Sequence, residues 1–238
     1  MKKILYLLIG LLLPILASAQ EKRVIKETFE EESSYWPDFK DKKFSGITED
    51  GYYVLTAKKE ACGVVAKLPV QTDRNFKVSF KLYVLFFSIK SGFGIVYDYK
   101  NEYDFKLIGL SENMAVDYHR YVPRQQRDED EDPETAFRKF LFSSAVMTSG
   151  YASKKQAYVS EAGTINASRI VLKKGSKKEI NVEIERKGAK LMVRVNGMDV
   201  TSRRVGEEDF ISNKFGFFVA NIGGGKVLLV DEVMVEQE

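Results

Sequence analysis

Residues 180–238, INVEIERKGAKLMVRVNGMDVTSRRVGEEDFISNKFGFFVANIGGGKVLLVDEVMVEQE, decide the fold of this chain. Within this stretch apolar and polar residues alternate, the alternation stops at turn signals, and then it resumes. Val193 and Val195 lie on the apolar parity, and Asn196-Gly197 forms the turn that follows them. Alternation with a period of two residues predicts antiparallel strands that place one face on a core and the other face in water.

The same alternation recurs along most of the chain. It predicts earlier strands at VIKETFEE, GYYVLTA, CGVVAKL, NFKVSFKLYVLFFSI, GFGIVYDY, YDFKLIGL and NMAVDYHRY. Glycines in the turns Lys187-Gly188, Asn196-Gly197 and Gly223-Gly224-Gly225 can adopt the positive φ angles that tight hairpins need. About a dozen short strands joined by such turns predict an all-β protein, an antiparallel two-sheet jelly-roll sandwich, rather than alternating strands and helices.

The N-terminus has the pattern of a secretory signal peptide. Two lysines precede an uncharged run over residues 4–16, and Ala17-Ser18-Ala19 supplies the small residues of a cleavage site. The apolar run is shorter than the ~20 residues that a membrane-spanning helix needs. We therefore expect a signal peptide over residues 1–19 and a single exported β domain over residues 20–238. The mature chain would have no transmembrane segment and would reside in the periplasm, at the cell surface or outside the cell.

Charge and cysteine content exclude several classes of protein. The formal net charge is only +3, and two of the positive charges belong to the predicted signal peptide. A nucleic-acid-binding protein needs a clustered basic face, whereas the pairs Lys173-Lys174, Lys177-Lys178 and Arg203-Arg204 are spread over turns and strand ends, where they protect sheet edges. Cys62 is the only cysteine, which excludes an internal disulfide framework and a multi-cysteine metal site.

One long insertion interrupts the strands between about residues 122 and 167. It begins with PRQQRDEDEDPE and continues with PETAFRKFLFSSAVM, which has a helix-like start. An insertion of this length predicts either a mobile loop or an ordered cap over one sheet face. Because oxygen ligands suit Ca²⁺, Asp128, Asp130 and Asp132 are weak candidates for a calcium site, although the run lacks the glycine and spacing of an EF-hand loop. No other cofactor is expected.

Aromatic residues with polar neighbours are the candidate ligand-binding residues. A sugar ring stacks on an exposed aromatic face while nearby polar groups bind its hydroxyls. By alternation, Tyr97 and Tyr99 share one strand face. For each ring the alternative is a core or sheet-surface position, since sheets favour aromatic residues. The full candidate set is Trp36, Tyr97, Tyr99, Asn101, Tyr103, Tyr118, His119 and Arg120.

Four segments resemble concanavalin A-like lectin and glucanase domains. They are FEEESSYWP, SGFGIVYDYKNEYDFKLIGL, INVEIERKGAKLMVRVNGMDV and NKFGFFVANIGGGKVLLVDEVMV. The sequence looks most like bacterial secreted jelly rolls grouped near laminin-G-like modules and the 3-keto-disaccharide hydrolase domain. The Ala-Gln junction after the signal peptide resembles those of Bacteroidetes-type bacteria. The resemblance covers roughly residues 24–118 and 179–236, implies a jelly-roll frame, and leaves the insertion as a departure from the family pattern.

Hydrolases of this fold resemble one another in an E-x-D-x-x-E strand, whose alternation puts the carboxylates on one face. No predicted strand here carries that motif. Glu129, Glu131 and Glu134 have the spacing, but they belong to a fully charged run interrupted by proline. His119 is the only histidine and shares a strand face with Asp117, yet the chain has no G-x-S-x-G nucleophile elbow.

These observations predict a non-catalytic binding module that acts outside the cytoplasm. Its expected partner is a glycan or a protein of the cell envelope, bound through a face of the β-sandwich, and nucleic acid is not expected. Two alternatives stay open: a divergent glycan-active hydrolase, and a structural or assembly protein of the envelope. Two carboxylates converging in a cleft would favour the hydrolase, whereas exposed aromatic rings on a sheet face would favour the binding module.

Overall fold

The computed structural model describes residues 22–42, 44–58, 61–84, 91–101, 104–110, 114–121, 165–169, 178–206, 209–210, 212–221 and 225–238. These residues form two antiparallel sheets, and none of them is helical. The predicted all-β, two-sheet architecture is confirmed. Within the same residues, no helix has the length and apolar character that crossing a membrane requires.

Fifteen strands are described. In chain order they are β1 (Arg23–Glu27), β2 (Phe39–Lys40), β3 (Phe44–Glu49), β4 (Tyr52–Ala57), β5 (Ala61–Pro69), β6 (Phe76–Val84), β7 (Ser91–Asn101), β8 (Asp104–Leu110), β9 (Met114–Tyr121), β10 (Ile165–Arg169), β11 (Lys178–Lys187), β12 (Lys190–Val195), β13 (Met198–Arg204), β14 (Lys214–Asn221) and β15 (Gly225–Gln237). Strand β10 begins at Ile165, so the last residues of the predicted insertion are part of a sheet, whereas residues 122–164 lie outside the described chain.

The larger sheet, sheet A, has nine strands in the order β13-β12-β11-β6-β15-β4-β3-β2, with β1 also paired to β15. Strand β15 is long enough to pair with β6 on one side and with both β4 and β1 on the other. A register shift between Val230 and Glu232 lets this strand keep its apolar residues inward along its whole length. Val230 faces the core before the shift, and Val233 and Val235 face it afterwards.

The smaller sheet, sheet B, has six strands in the order β10-β9-β8-β7-β14-β5. Strand β14 is central and pairs with β7 on one side and β5 on the other, so segments far apart in sequence become neighbours. Such crossovers separate a jelly roll from a simple meander, in which each strand pairs only with its neighbours in sequence.

The core lies between the two sheets and follows from the alternation. Every second side chain of β6 is buried: Phe76, Val78, Phe80, Leu82 and Val84. From sheet B, the matching inward row of β14 is Phe215, Phe217 and Val219. The Phe217 ring lies 5.7 Å from the Phe80 ring, edge to face, and thus joins the central strands of the two sheets.

Candidate functional site

The outer face of sheet A is covered by ion pairs between neighbouring strands. Lysines on β6, on β1 and just before β1 lie against carboxylates on β11 and β15, which gives the pairs Lys22–Glu236 at 2.5 Å, Lys26–Glu232 at 2.8 Å, Lys77–Glu183 at 2.7 Å and Lys81–Asp231 at 2.7 Å. Exposed pairs of this kind contribute little to stability but keep the face in water. This face is therefore a solvated charged surface.

The outer face of sheet B is apolar instead. Because neighbouring residues of a strand point to opposite faces, the inward positions Ile95 and Phe217 leave Val96 and Phe218 on the outside. Val96 pairs with Leu107, which extends this outer row onto β8. Val96, Phe105, Leu107 and Phe218, here called the apolar floor, are each at most 2 % exposed although none belongs to the core cluster between the sheets. The floor is therefore a second apolar layer that is sheltered from water.

Glycines shape the middle of the apolar floor. Gly94 lies between Phe218 on β14 and Gly109 on β8 in the strand register. A Cβ atom at Gly94 would lie 2.2 Å from the carbonyl oxygen of Ile108, so no other residue fits there without a shift of the backbone. The Leu107 side chain fills the space that a side chain at Gly94 would take, since its Cδ1 atom lies 2.9 Å from that Cβ position.

Tyr99 lies next to Phe105 of the apolar floor. Its side chain is partly exposed, and its ring stacks on Phe105 with centroids 6.3 Å apart and planes 29° apart. Asp98 has a positive φ of 52°, and the β7–β8 register shifts between Tyr97 and Asn101. This irregularity breaks the alternation, so Tyr97 points inward and Tyr99 outward. The expectation that these two tyrosines share one face was wrong for this reason.

Two candidate rings are core residues. Tyr97 is fully buried, and its hydroxyl donates a hydrogen bond to Asp117 Oδ1 at 2.9 Å. Burial is the main cause that raises the pKa of Tyr97, followed by the charge of Asp117. Trp36 is also fully buried and lies 5.1 Å from Phe217, ring to ring. Tyr97 and Trp36 are therefore core residues, and neither ring is exposed for a sugar to stack on.

The structure tests the other candidates less directly. The backbone of Asn101 ends β7, and Tyr118, His119 and Arg120 lie in β9, but their side chains are outside the described part of the structure. Tyr118 pairs with Leu107, which puts its strand position in the same rung as the apolar floor. Tyr103 and the calcium candidates Asp128, Asp130 and Asp132 are outside the described residues altogether.

Solved structures share this arrangement of two sheets. The carbohydrate recognition domain of Emp46p, in its potassium-bound form, matches 87% of this chain and 93% of that chain with a TM-score of 0.53 and 11% identity. The catalytic domain of an endo-1,3-beta-glucanase (laminarinase) from Thermotoga petrophila RKU-1 matches 92% of this chain and 98% of that chain, with a TM-score of 0.54 and 10% identity. The protein has a concanavalin A-like jelly-roll fold. The resemblance seen in the sequence is thereby confirmed at the level of the fold.

The concanavalin A-like fold is shared by lectin domains and by enzymes. The laminarinase catalytic domain from Thermotoga maritima MSB8 also matches, with a TM-score of 0.55 and 10% identity over 92% of this chain and 99% of that chain. No protein-family model matches the sequence, and no curated protein matches it either. At such low identity the similarity establishes the fold alone, so any function has to be argued from the residues of this chain.

An inner polar cluster lies within this concanavalin A-like sandwich and was not foreseen from the sequence. Lys106 Nζ lies 2.9 Å from Asp98 Oδ2, and Lys106 also donates to the carbonyl oxygen of Asp209. The Ser212 N–H donates to Asp98 Oδ1 at 2.6 Å, and Arg203 pairs with Asp209 at 3.4 Å. The sequence contained one hint of this cluster. Lys106 shares a face of β8 with the core residues Ile108 and Leu110, and a charged side chain on such a face needs a buried partner.

The carboxylates of this cluster have local partners that account for their burial. Asp98 binds Lys106 and the Ser212 amide, while Asp117 accepts the hydroxyl of Tyr97. Burial lowers the pKa of Arg203, but Tyr97, Asp117 and Asp209 outweigh it and raise that pKa overall, so the guanidinium stays charged. Among the described residues, no group of three His, Cys, Asp or Glu side chains could hold a metal ion. The cluster is therefore suited to joining β7, β8 and β13.

Proposed function

We propose that this concanavalin A-like domain is an exported, non-catalytic module that binds a glycan beside Tyr99, next to Phe105 of the apolar floor. The observation that carries the proposal is Tyr99, which is partly exposed and supported from below by Phe105. A ring held in this way offers a flat apolar surface to the face of a pyranose at little entropic cost, because stacking on Phe105 already restricts its motion.

The residues around Tyr99 suit the polar half of such a site. Asn101 ends the same strand, and Tyr118 is paired with Leu107 in the strand register, so residue types with hydrogen-bonding groups occupy backbone positions near Tyr99. Sugar recognition needs a few polar groups of this type to bind the hydroxyls beside the stacked ring. Carbohydrate recognition by Emp46p, which shares the fold, agrees with this use of the frame.

The composition of the described floor supports binding over hydrolysis. Its described outward side chains on β5, β7, β8 and β14 include no Asp or Glu in the strand interiors. Glycoside hydrolysis requires two carboxyl groups on either side of the bond that is cleaved. Asp98 and Asp117 do not provide them, because both are buried among inward-facing partners.

Tyr99→Ala tests the proposal. Binding of wild type and variant to a glycan array and to the best-bound glycans in solution should show about a tenfold loss in affinity, since stacking and apolar contact at one ring contribute about 1–2 kcal/mol. Tyr52→Ala is the matched control, because Tyr52 is a partly exposed tyrosine that contacts another ring, Tyr83, on sheet A. It should bind as wild type does.

Two results would overturn the proposal. Equal affinities of wild type and Tyr99→Ala for every bound glycan would remove Tyr99 from the site. Release of reducing ends from a bound glycan by the wild-type chain would show that the module is an enzyme.

A further inference from the structure

Three cationic side chains form a row across one end of the outer face of sheet A. Lys187 pairs with Lys190 in the β11–β12 register, and Lys190 pairs with Arg204 in the β12–β13 register. Paired residues point to the same face, so all three side chains emerge on the side of sheet A that faces water. Lys187, Lys190 and Arg204 are here called the basic row. They line one shallow depression together with Ala189, Ser202 and Arg203.

The basic row breaks the charge pattern of its own sheet. Over the rest of this face, the lysines of β1 and β6 each lie against a carboxylate of a neighbouring strand. In the basic row only Lys187 has an ion-pair partner among the described residues, and that partner, Glu185 at 2.7 Å, belongs to the same strand. Lys190 and Arg204 have no ion-pair partner among the residues that the structure describes. Like charges directly opposite each other on neighbouring strands are destabilising, and a bound anion would relieve this repulsion.

We propose that the basic row binds the acidic groups, carboxylate or sulfate ester, of a polysaccharide. This inference rests on the proposed glycan-binding function and deepens it by naming the class of glycan. The planar guanidinium of Arg204 can bind two oxygens of one such group, while Lys190 supplies a second charge beside it. Ser202 adds a hydroxyl on the same face, and Ala189 leaves the approach between the cations open.

The surroundings of the row favour spaced acidic groups over a nucleic acid. Glu183 and Glu185 follow directly along β11 on the same face, and Glu185 also holds Arg194 at 3.2 Å. A nucleic acid, with a phosphate at every nucleotide, needs an extended basic surface and would meet these carboxylates. An acidic polysaccharide alternates charged groups with neutral hydroxyls, so one group can enter the row while the rest of the chain passes over a polar surface.

A second role for the row has to be separated from binding. Strand β13 is an edge of sheet A, and charges on an edge strand discourage pairing with a second molecule. If that were the whole role, removing the charges would promote association of the protein without changing its affinity for any polymer. Light scattering of each variant therefore accompanies every binding measurement.

The test compares polygalacturonate, dextran sulfate and neutral dextran as probes, at low and high salt. The variant Lys190→Ala/Arg204→Ala should bind at least one of the acidic polymers about tenfold more weakly than wild type, because two charge-assisted contacts are lost. The control Lys22→Ala/Lys26→Ala removes two positive charges from the same face, but from lysines that already have partners. It should bind within about twofold of wild type, since only long-range attraction changes.

The charge-conserving variant Lys190→Arg/Arg204→Lys should retain most of the affinity, which separates loss of charge from loss of folding. Wild-type binding should weaken as salt rises and should be absent for dextran.

The inference is overturned if wild type binds neither acidic polymer, or if the double alanine variant binds as well as the control does. Binding of a neutral glycan at Tyr99 without any binding of acidic polymers would overturn this inference alone. Binding of acidic polymers that is unaffected by Tyr99→Ala would instead leave the basic row as the glycan site and count against the proposed site at Tyr99.

Discussion

Lys106 is a charged residue at a position that the strand alternation reserves for the core. Its neighbours in sequence, Phe105 and Leu107, point outward, so Lys106 must point between the sheets. The Lys106 side chain is 10% exposed and that of Asp98 is 3% exposed. A pair this deep costs desolvation energy that only close mutual contact and further hydrogen bonds can offset. Both conditions are met, because Asp98 also accepts a hydrogen bond from the Ser212 amide and Lys106 also donates one to the carbonyl oxygen of Asp209.

Lys106→Met should lower the free energy of unfolding by about 3–5 kcal/mol, since it leaves the carboxylate of Asp98 buried without its cation. Urea unfolding measured by fluorescence at neutral pH gives this value. The double variant Asp98→Asn/Lys106→Met should recover part of the loss, because asparagine tolerates the positive φ at position 98 and neither position is then charged. A single variant as stable as wild type would mean that the pair is hydrated.

Asp98 also shows how one residue redirects its neighbours. Its left-handed backbone conformation coincides with the register shift that separates Tyr97 from Tyr99. Tyr97 thereby reaches Asp117 inside the sandwich, and Tyr99 reaches Phe105 on the outer face. Alternation alone cannot reveal such a shift, because the conformation of Asp98 depends on its contacts with Lys106 and Ser212, which are distant in sequence.

Strand β14 lies close to β5, and β7 lies close to β8, because glycine occupies the contact points. At Gly216 a Cβ atom would lie 1.9 Å from the carbonyl oxygen of Val65, and at Gly94 it would lie 2.2 Å from that of Ile108. Both distances are shorter than any real contact of a Cβ atom, so the backbones can approach this closely only where the residue has no side chain.

Gly94→Ala should destabilise the protein by about 3 kcal/mol, as the added methyl group forces two backbones apart. Gly197→Ala is the comparison at a turn, where φ is 77° and no atom lies within 4 Å of the new Cβ. There only the strained backbone matters, and the expected cost is about 1 kcal/mol. Thermal unfolding of both variants shows which substitution is more destabilising. If Gly94→Ala lowered the stability no more than Gly197→Ala does, sheet B would accommodate the added methyl group without strain.

The two sheets are joined by aromatic contacts at the centre of the sandwich. Phe217 of β14 contacts Phe80 of β6 and Trp36 of the segment between β1 and β2, at 5.7 and 5.1 Å between ring centroids. Trp36 in turn lies 5.9 Å from Phe29. One ring thus connects both sheets and the N-terminal segment, so the stability of the whole sandwich depends on it.

Phe217→Ala should lower the free energy of unfolding by about 3–5 kcal/mol, through lost apolar contact and the cavity left behind. Val24→Ala is the surface control, because Val24 is 54% exposed, and its effect should be within about 0.5 kcal/mol. Denaturant unfolding monitored by both circular dichroism and Trp36 fluorescence should give one transition. Separate transitions for the two probes would contradict a single cooperative sandwich.

Sequence by itself determined the all-β class, the strands of the C-terminal hairpins and the presence of one water-facing side on these strands, because local alternation decides which side of a strand is apolar. It also showed the fold resemblance, through turns and strands that are local patterns. It did not determine where Trp36 and Tyr97 lie, since an aromatic residue on a strand suits either face.

Tertiary structure alone decided three features. The pairing of β14 with β5 and β7 brings Phe218 beside Gly94 and creates the apolar floor. Packing of the segment after β13 against β7 and β8 assembles the inner polar cluster. The registers of β11, β12 and β13 align Lys187, Lys190 and Arg204 in one row. Each depends on contacts between residues distant in sequence, and strand order and register are set by the packing of the whole sandwich, which no local pattern contains.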